Sequence, residues 1–277
     1  MTLVARTTAT PAMAPPRPEG TPGPAISVRN LRMGYGTKVL LDGASFEVHR
    51  GEILVILGGS GCGKSSLMKN IIGLYDPMGG DIQIDGESIV NATPAQKSAL
   101  QRKLGIMYQS GALFGSLNVL ENVRFPLDEF TDLSLDAKNL TARLLLRQVE
   151  MGHAESLMPG ELSGGMLKRA GIARAMALGS DILMLDEPSA GLDPITAANL
   201  DRTILGLRDN LGFTFVVVTH ELQSIFNIAD RGVMLDPVSR SIIAEGNPKD
   251  LRDHSDDPRV RQFFNRTPDA PPQRPGH

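Results

Sequence analysis

A strand-like apolar run that leads directly into a glycine-rich loop and then a helix constrains this sequence more than any other feature. The run at 52–57 is followed by GGSGCGKS at 58–65, and a helical pattern continues through Ile72. This is the pattern G-x-x-x-x-G-K-[ST] in the strand, loop and helix context that it requires. Glycines let backbone N–H groups turn inward around an anion, and the helix N-terminus adds its positive dipole end. The sequence therefore predicts a loop that binds phosphate groups.

Side chains in this loop add specific chemistry. Lys64 is expected to reach the β- and γ-phosphates of a nucleotide, and Ser65 to ligate Mg²⁺. Cys62 lies near a helix N-terminus, which can make a thiol reactive, but we expect it only to fill space. The predicted cradle comprises Gly58, Gly59, Ser60, Gly61, Cys62, Gly63, Lys64 and Ser65.

A second apolar strand, at 182–185, is followed by the carboxylates Asp186 and Glu187. In open α/β sheets, ligands bind beyond the carboxyl ends of the strands. Adjacent strand residues point to opposite faces, so we expect the two carboxylates to do different work. Asp186 would orient Mg²⁺, and Glu187 would polarise the attacking water as general base. The alternative is a strand that ends in a polar turn, which the upstream phosphate loop disfavours.

Composition and charge exclude several classes of function. With 277 residues, 41% of them hydrophobic, the chain can bury a substantial core, and its net charge of -3 gives no general attraction for nucleic acid. No apolar stretch approaches the ~20 residues of a membrane-spanning helix. The single cysteine allows no intramolecular disulfide, and the N-terminus lacks the apolar core of a secretory signal. We expect a cytoplasmic protein that neither crosses a membrane nor binds nucleic acid.

Apolar runs alternate with amphipathic segments, which is typical of an α/β protein with a mostly parallel sheet. Strands are predicted at 26–30, 52–57, 104–109, 182–186, 213–219 and 232–235. The segment 111–178 instead has the pattern of consecutive helices, with caps at Asn118, Ser134 and Ser163 and a last helix at 166–178. We expect a disordered arm at 1–24, a domain at 25–256 that includes a helical subdomain at about 111–178, and a C-terminal extension at 257–277.

The stretch Leu-Ser-Gly-Gly-Met at 162–166 opens the last of these helices and forms a second N-terminus suited to anions. The motifs follow the order phosphate loop, Leu-Ser-Gly-Gly-x and a strand ending in Asp-Glu, with a helical insert between the first and last of them. In this order the sequence resembles the nucleotide-binding subunit of ATP-binding-cassette (ABC) proteins over about residues 26–250. The resemblance implies a P-loop ATPase with a RecA-like core, an antiparallel β subdomain and an inserted α-helical subdomain, and it excludes a P-loop kinase.

The same resemblance assigns roles to further residues. It places Tyr35 against adenine, Gln109 near Mg²⁺ or the attacking water, and His220 at the γ-phosphate. The alternatives are a hairpin tyrosine, an exposed glutamine and a structural histidine. It also places Asp193 at the end of a loop that crosses between paired subunits in the family. The alternative is that Asp193 ends an ordinary strand-to-helix turn. The resemblance also adds to the ATP contacts Ser66, Ser163, Gly164 and Gly165.

In the family, each ATP lies between the phosphate loop of one subunit and the signature loop of the other. This chain has one copy of each motif, so the resemblance implies a homodimer with two shared sites and C2 symmetry. ATP would close the pair, and hydrolysis would release it.

Four shorter stretches of the sequence resemble the ATPases of Mla-type phospholipid transporters. The matching stretches are QSGALF at 109–114, LMPGELSGGM at 157–166, DPIT at 193–196 and DPRVRQF at 257–263. That subgroup implies an integral-membrane permease, a mammalian-cell-entry (MCE) protein, a small STAS-domain subunit and a position at the cytoplasmic face of the inner membrane. The segment after Gln109 would receive the permease, and the tail at 263–266 would reach the neighbouring ATPase.

Two alternatives remain open for the function. The same cassette could power an importer for another small solute, or act outside transport in DNA repair or on the ribosome. Only the four stretches that resemble the Mla-type ATPases disfavour an importer for another solute. The short spacing from Lys64 to Ser163, which leaves no room for a coiled-coil arm, and the single cassette disfavour the second alternative.

Overall fold

Two β-sheets flanked by helices organise the structure, a computed structural model that describes residues 23–266. The strands within this range are β1 (Ile26–Tyr35), β2 (Lys38–Val48), β3 (Ile53–Gly58), β4 (Gly79–Ile84), β5 (Glu87–Ser88), β6 (Leu104–Met107), β7 (Ile182–Asp186), β8 (Thr214–Val218), β9 (Arg231–Asp236) and β10 (Ser241–Gly246). The helices are α1 (Lys64–Ile71), α2 (Pro94–Arg102), α3 (Val119–Phe130), α4 (Leu135–Gln148), α5 (Gly164–Ala175), α6 (Pro194–Leu211), α7 (Leu222–Ile228), α8 (Pro248–His254) and α9 (Pro258–Asn265).

The larger sheet has the order β10-β9-β3-β8-β7-β6 and is parallel except for β10 at one edge. The smaller sheet has the order β2-β1-β4-β5 and is antiparallel. The predicted fold class, a mostly parallel core with an antiparallel β subdomain and a helical insertion, is confirmed.

Both faces of the parallel sheet are buried, which explains its uninterrupted apolar strands. Along β3, Ile53, Val55 and Leu57 pack into one hydrophobic cluster, while Leu54 and Ile56 pack into the other. The alternation of side chains along a strand makes this division. The strand ends that carry the predicted chemistry therefore project from a rigid core.

The predicted strands of the parallel sheet are confirmed to within two residues at either end. The prediction at 26–30 is too short and falls in the other sheet, because β1 continues to Tyr35 as one arm of a hairpin with β2. β2 itself, β4, β5 and β10 were not among the predicted strands. β2 carries exposed residues between its buried ones, so no continuous apolar run marks it.

The helical segment begins where its capping residues predict. The side chains of Asn118, Ser134 and Ser163 each accept a hydrogen bond from a backbone N–H in the first turn of α3, α4 and α5. The predicted last helix starts two residues earlier than expected, at Gly164, and ends at Ala175. The division into domains stays a prediction. Most of the arm at 1–24 and all of the extension beyond Arg266 lie outside the described residues.

The described part of the chain contains no helix both long enough and apolar enough to span a bilayer. At its C-terminal end, α9 packs on α7, with the rings of Phe264 and Phe226 5.6 Å apart between centroids.

One glycine in the parallel sheet leaves no room for a side chain. A Cβ at Gly105 in β6 would stand 2.3 Å from the backbone O of Ala175 in α5 and 2.4 Å from Leu183 Cδ2 in β7. We expect Gly105→Ala to lower the free energy of unfolding by about 1–3 kcal/mol, because α5 or β7 must shift. Denaturant unfolding measures this as a lower midpoint. Gly115→Ala, where nothing lies within 4 Å, is the matched control, and equal midpoints for the two variants would contradict the prediction.

Candidate nucleotide-binding and hydrolysis site

The glycine-rich loop adopts backbone conformations that only glycine takes up without strain. Gly58, Gly61 and Gly63 have φ values of 140°, 76° and 101°. A Cβ at Gly58 would stand 2.5 Å from the backbone O of Leu235 in β9. α1 begins at Lys64, directly after the loop, and no side chain caps it. Its first backbone N–H groups are therefore free of a side-chain acceptor and available to an anion.

Lys64 folds back over its own loop. Its Nζ donates to the backbone O of Gly58 at 2.8 Å and of Gly59 at 3.1 Å, so the ammonium lies at the mouth of the cradle. Cys62 is buried beneath the loop, and burial raises the pKa of its thiol. A buried, protonated thiol is a poor nucleophile, in keeping with the predicted space-filling role.

Asp186 faces the start of α1 from the end of β7. The hydroxyl of Ser65 donates to Asp186 Oδ1 at 3.5 Å. Burial, and then the neighbouring charge of Glu187, raise the pKa of Asp186, while the hydrogen bond from Ser65 opposes that shift. An added cation would stabilise the charged form of this carboxylate.

Glu187 lies beyond the strand rather than on it. β7 ends at Asp186, and Glu187 has a φ of 47°, so the predicted alternation across one strand does not separate the two carboxylates. The turn separates them instead. Glu187 Oε1 lies 2.8 Å from His220 Nδ1, and its buried Oε2 has no hydrogen-bond partner among the described residues. One oxygen is thus oriented by the histidine, and the other is free to accept.

These groups share one cavity of about 700 Å³. Tyr35 lies on its rim, where its hydroxyl is 2.7 Å from Ser66 Oγ and its ring meets the edge of Tyr75. Tyr35 also belongs to a β hairpin, so the alternative of a hairpin tyrosine is compatible with its position at the cavity. The cavity is lined by Tyr35, Leu40, Gly58, Gly59, Ser60, Gly61, Gly63, Lys64, Ser65, Ser66, Gln109, Asp186, Glu187, His220 and Phe263.

Two lining residues were not predicted from the sequence. Leu40 comes from β2 and Phe263 from α9, almost 200 residues after the phosphate loop. Leu40 belongs to no predicted motif. Phe263 belongs to the stretch at 257–263 that resembles the Mla-type ATPases, but that resemblance assigns the tail to the neighbouring ATPase and not to this cavity.

The signature residues lie elsewhere. None of Ser163, Gly164, Gly165 and Asp193 lines the cavity at the phosphate loop, within the residues that the structure describes. They pack together with α6: a Cβ at Gly165 would stand 2.4 Å from Thr196 Cγ2, and Asp193 Oδ1 accepts from the N–H of Thr196 at 3.1 Å as the cap of α6. Gly164 instead lines a second cavity, of about 600 Å³, together with Gln109 and Asp186. The predicted nucleotide contacts therefore divide between two cavities of one chain.

The donors at the cavity fit Mg²⁺. The Ser65 hydroxyl, the Asp186 carboxylate and the Gln109 side chain supply hard oxygen atoms, and the adjacent charges of Asp186 and Glu187 favour a cation. In the described part of the chain, no three His, Cys, Asp or Glu side chains cluster to enclose a metal by themselves. Mg²⁺ commonly takes one or two protein oxygens and completes its shell with phosphates and water.

The chain thus combines a glycine-rich loop and a Glu–His pair at the carboxyl edge of a parallel sheet with a helical insertion whose last helix opens on Leu-Ser-Gly-Gly. This combination defines an ATP-binding-cassette ATPase. The chain belongs to the ABC transporter family, whose model matches residues 41–190. It is therefore an enzyme that binds and hydrolyses ATP.

Beyond the family model, the chain is similar to individual curated relatives and solved structures. The chain is 39% identical over 246 residues to the intermembrane phospholipid transport system ATP-binding protein MlaF of Escherichia coli K12, covering 89% of this chain and 90% of that protein. It is 37% identical to the probable ribonucleotide transport ATP-binding protein mkl of Mycobacterium leprae, covering 88% of this chain and 69% of that protein. The dimeric post-hydrolysis structure of the cassette MJ0796 bound to ADP and Pi has a TM-score of 0.71 and 27% identity, covering 80% of this chain and 98% of that one.

Proposed function

We propose that the chain is the ATP-hydrolysing subunit of a transporter that moves phospholipid between the inner and outer membranes. The observation that supports phospholipid as the cargo is the similarity to MlaF, which spans 89% of this chain and 90% of that protein. It extends beyond residues 41–190, which the family model matches.

The phosphate loop and its surroundings bind MgATP in this proposal. Backbone N–H groups of the loop and the start of α1 hold the phosphates, and Lys64, now bonded to carbonyls of its own loop, turns to the β- and γ-phosphates. Ser65, Asp186 and Gln109 hold Mg²⁺, which supplies charge neutralisation on the phosphates. Tyr35 stacks on adenine, a contact worth about 1–3 kcal/mol in nucleotide sites.

Glu187 acts as general base in this proposal. Its unpartnered Oε2 is the acceptor for a proton of the attacking water, and Oε1 is held by His220. His220 is more than half exposed toward the cavity, where its ring can contact the γ-phosphate while it orients Glu187. The two residues act as one unit, because His220 restricts the rotation of the carboxylate.

Two copies of the chain complete each site. Ser163, Gly164, Gly165 and Asp193 lie away from the phosphate loop of their own chain, so in this proposal they contact ATP bound to the other copy. Dimeric MJ0796 cassettes support a C2 homodimer as the working unit.

The remaining partners are an integral-membrane permease, an MCE-type protein and a small STAS-domain subunit, at the cytoplasmic face of the inner membrane. The surface that we assign to the permease follows Gln109. There Phe114 is 45% exposed, and its ring lies 4.7 Å from that of Phe125 between centroids. An exposed aromatic ring of this kind, supported by the half-buried ring of Phe125, is suited to an apolar contact with a partner helix.

Purification from membranes in mild detergent tests the proposed cargo. We expect the wild-type chain to bring down a permease and an MCE-type protein with bound phospholipid. Phe114→Glu should lose most of the permease and keep its ATP hydrolysis. Phe130→Glu, at an exposed aromatic on the far end of α3, is the matched control and should retain the permease.

Other outcomes of that purification contradict the proposal. A periplasmic solute-binding protein in place of the MCE-type protein would indicate an importer for a small solute. Recovery of no membrane protein at all would favour an ABC ATPase that works outside transport.

A further inference from the structure

A buried cation on α5 is bonded to the two loops that carry Gln109 and Glu187. Lys168 is 5% exposed, and its Nζ donates to the backbone O of Gln109 and, at 3.3 Å, to the backbone O of Glu187. Both carbonyls lie just beyond the carboxyl ends of β6 and β7, which are neighbouring parallel strands. One ammonium group therefore joins both loops to α5.

Burial of this charge has a free-energy cost. Desolvation lowers the pKa of Lys168, and the charges of Glu187 and Asp186 only oppose that effect. An apolar side chain of similar length would fill the same space without the desolvation, and buried charges are often replaceable in this way without loss of stability. The contacts of Lys168 therefore point to a role beyond packing.

The loop after Gln109 rests directly on α5. Arg174, two turns further along the helix, donates to the backbone O of Gly111 at 3.3 Å and of Ala112 at 2.6 Å. A Cβ at Gly111 would stand 2.9 Å from the backbone O of Leu167. Any movement of α5 must therefore move this loop, and Lys168 extends the connection to Glu187.

The backbone of Glu187 is held on both sides. Its N–H donates to the backbone O of Val218 at 2.7 Å, and its own backbone O accepts from the N–H of Ala190 at 3.2 Å as well as from Lys168. These bonds hold a non-glycine residue at a φ of 47°, which is uncommon. The direction of the carboxylate depends on this turn, and a misplacement of about 1 Å can cost about 10²-fold in rate.

We propose that Lys168 is a positioning residue that couples the signature end of α5 to Gln109 and Glu187. When Ser163, at the start of the same helix, meets a nucleotide on the other copy, the displacement passes through Lys168 to both loops. This inference rests on the roles proposed above for Ser163, Gln109 and Glu187. Lys168 does not line the phosphate cavity and acts through the residues that do.

Steady-state kinetics of Lys168→Met test this inference. We expect kcat for MgATP hydrolysis to fall about 10- to 100-fold and KM to stay within about twofold, because the cradle is untouched while the loops of Glu187 and Gln109 lose their link to α5. Rates are divided by the number of sites that bind a fluorescent ATP analogue, which corrects for unfolded protein. Lys168→Arg keeps a cation with several donors and should retain most of the activity.

The matched control is Arg169→Met, which removes the next cation on α5. Arg169 is half-buried and pairs with the exposed Glu150 at 2.9 Å rather than with either loop, so it should be replaceable with little change in kcat. A double-mutant cycle gives the second readout: in a Glu187→Gln background, Lys168→Met should produce a smaller further loss than in the wild-type chain, because part of its effect acts through Glu187.

Several results would overturn the inference. They are a wild-type kcat for Lys168→Met, a raised KM with unchanged kcat, equal losses for the Met and Arg variants, or losses that multiply with that of Glu187→Gln. If Lys168→Met does not fold, Lys168→Leu, which likewise lacks an N–H donor, is judged by the same criteria. A wild-type chain that fails to hydrolyse MgATP in this assay would contradict the proposed function instead.

Discussion

Replacement of Glu187 by Gln should lower kcat for ATP hydrolysis by about 10²–10⁴-fold and leave ATP binding intact, because an amide cannot accept the proton of the attacking water. The amide keeps the size of the carboxylate and can still meet His220, 2.8 Å away in the wild-type chain. It also removes the charge that contributes to the raised pKa of Asp186. Binding of the nucleotide with its cation should therefore be undiminished.

Three measurements check this result. Phosphate release gives kcat, a fluorescent ATP analogue gives the affinity, and size-exclusion chromatography with ATP should show an accumulated dimer. Glu221→Gln is the matched control, since this carboxylate stands 3.8 Å from His220 Nε2 and lines no part of the cavity in the described structure. Near-normal turnover by Glu187→Gln would assign the base to another group.

The parallel sheet could be predicted because burial on both faces leaves a continuous apolar run in the sequence. β3 and β8 are buried at every position, so each appears in the sequence as a run of mostly apolar residues. β2 and β10 are half-exposed, and β5 has two residues, so local sequence carries almost no signal for them. Only pairing with neighbours distant in sequence makes these segments strands.

The candidate site likewise has features that the sequence predicts and features that it does not. The phosphate loop and the Asp-Glu pair are local patterns, and the sequence predicts which side chains do chemistry there. The predicted strand at 182–186 does end before Glu187, but the sequence does not predict the φ of 47° at that residue, which is held by hydrogen bonds to Val218 and Lys168. It also does not place Phe263 in the nucleotide cavity of its own chain, which this residue enters because α9 folds back onto α7.

Ser163→Arg should abolish ATP hydrolysis while each monomer still binds ATP. Ser163 caps α5 by accepting from the N–H of Met166 at 3.3 Å, and it lies outside the cavity that holds Lys64. A long, branched side chain there obstructs the approach of the helix N-terminus to a nucleotide on the other copy. Loss of the cap alone costs about 1 kcal/mol of stability and would not stop turnover.

Ser134→Arg separates the two effects, because Ser134 caps α4 in the same way, accepting from the N–H of Ala137 at 3.3 Å. Both variants should lose similar stability, and only the Ser163 variant should lose turnover. Equal inactivity of both, or loss of ATP binding by Ser163→Arg monomers, would contradict a site shared between chains.

Mixing two inactive variants tests the shared site directly. A dimer of one Ser163→Arg chain and one Lys64→Ala chain contains one site in which both Lys64 and Ser163 are intact, because the two residues come from different copies. Random pairing makes half of the dimers mixed, each with one intact site of two, so the mixture should recover about a quarter of wild-type activity if the sites work independently. Were Lys64 and Ser163 to act within one chain, no pairing of these variants would restore an intact site, and the mixture would remain inactive.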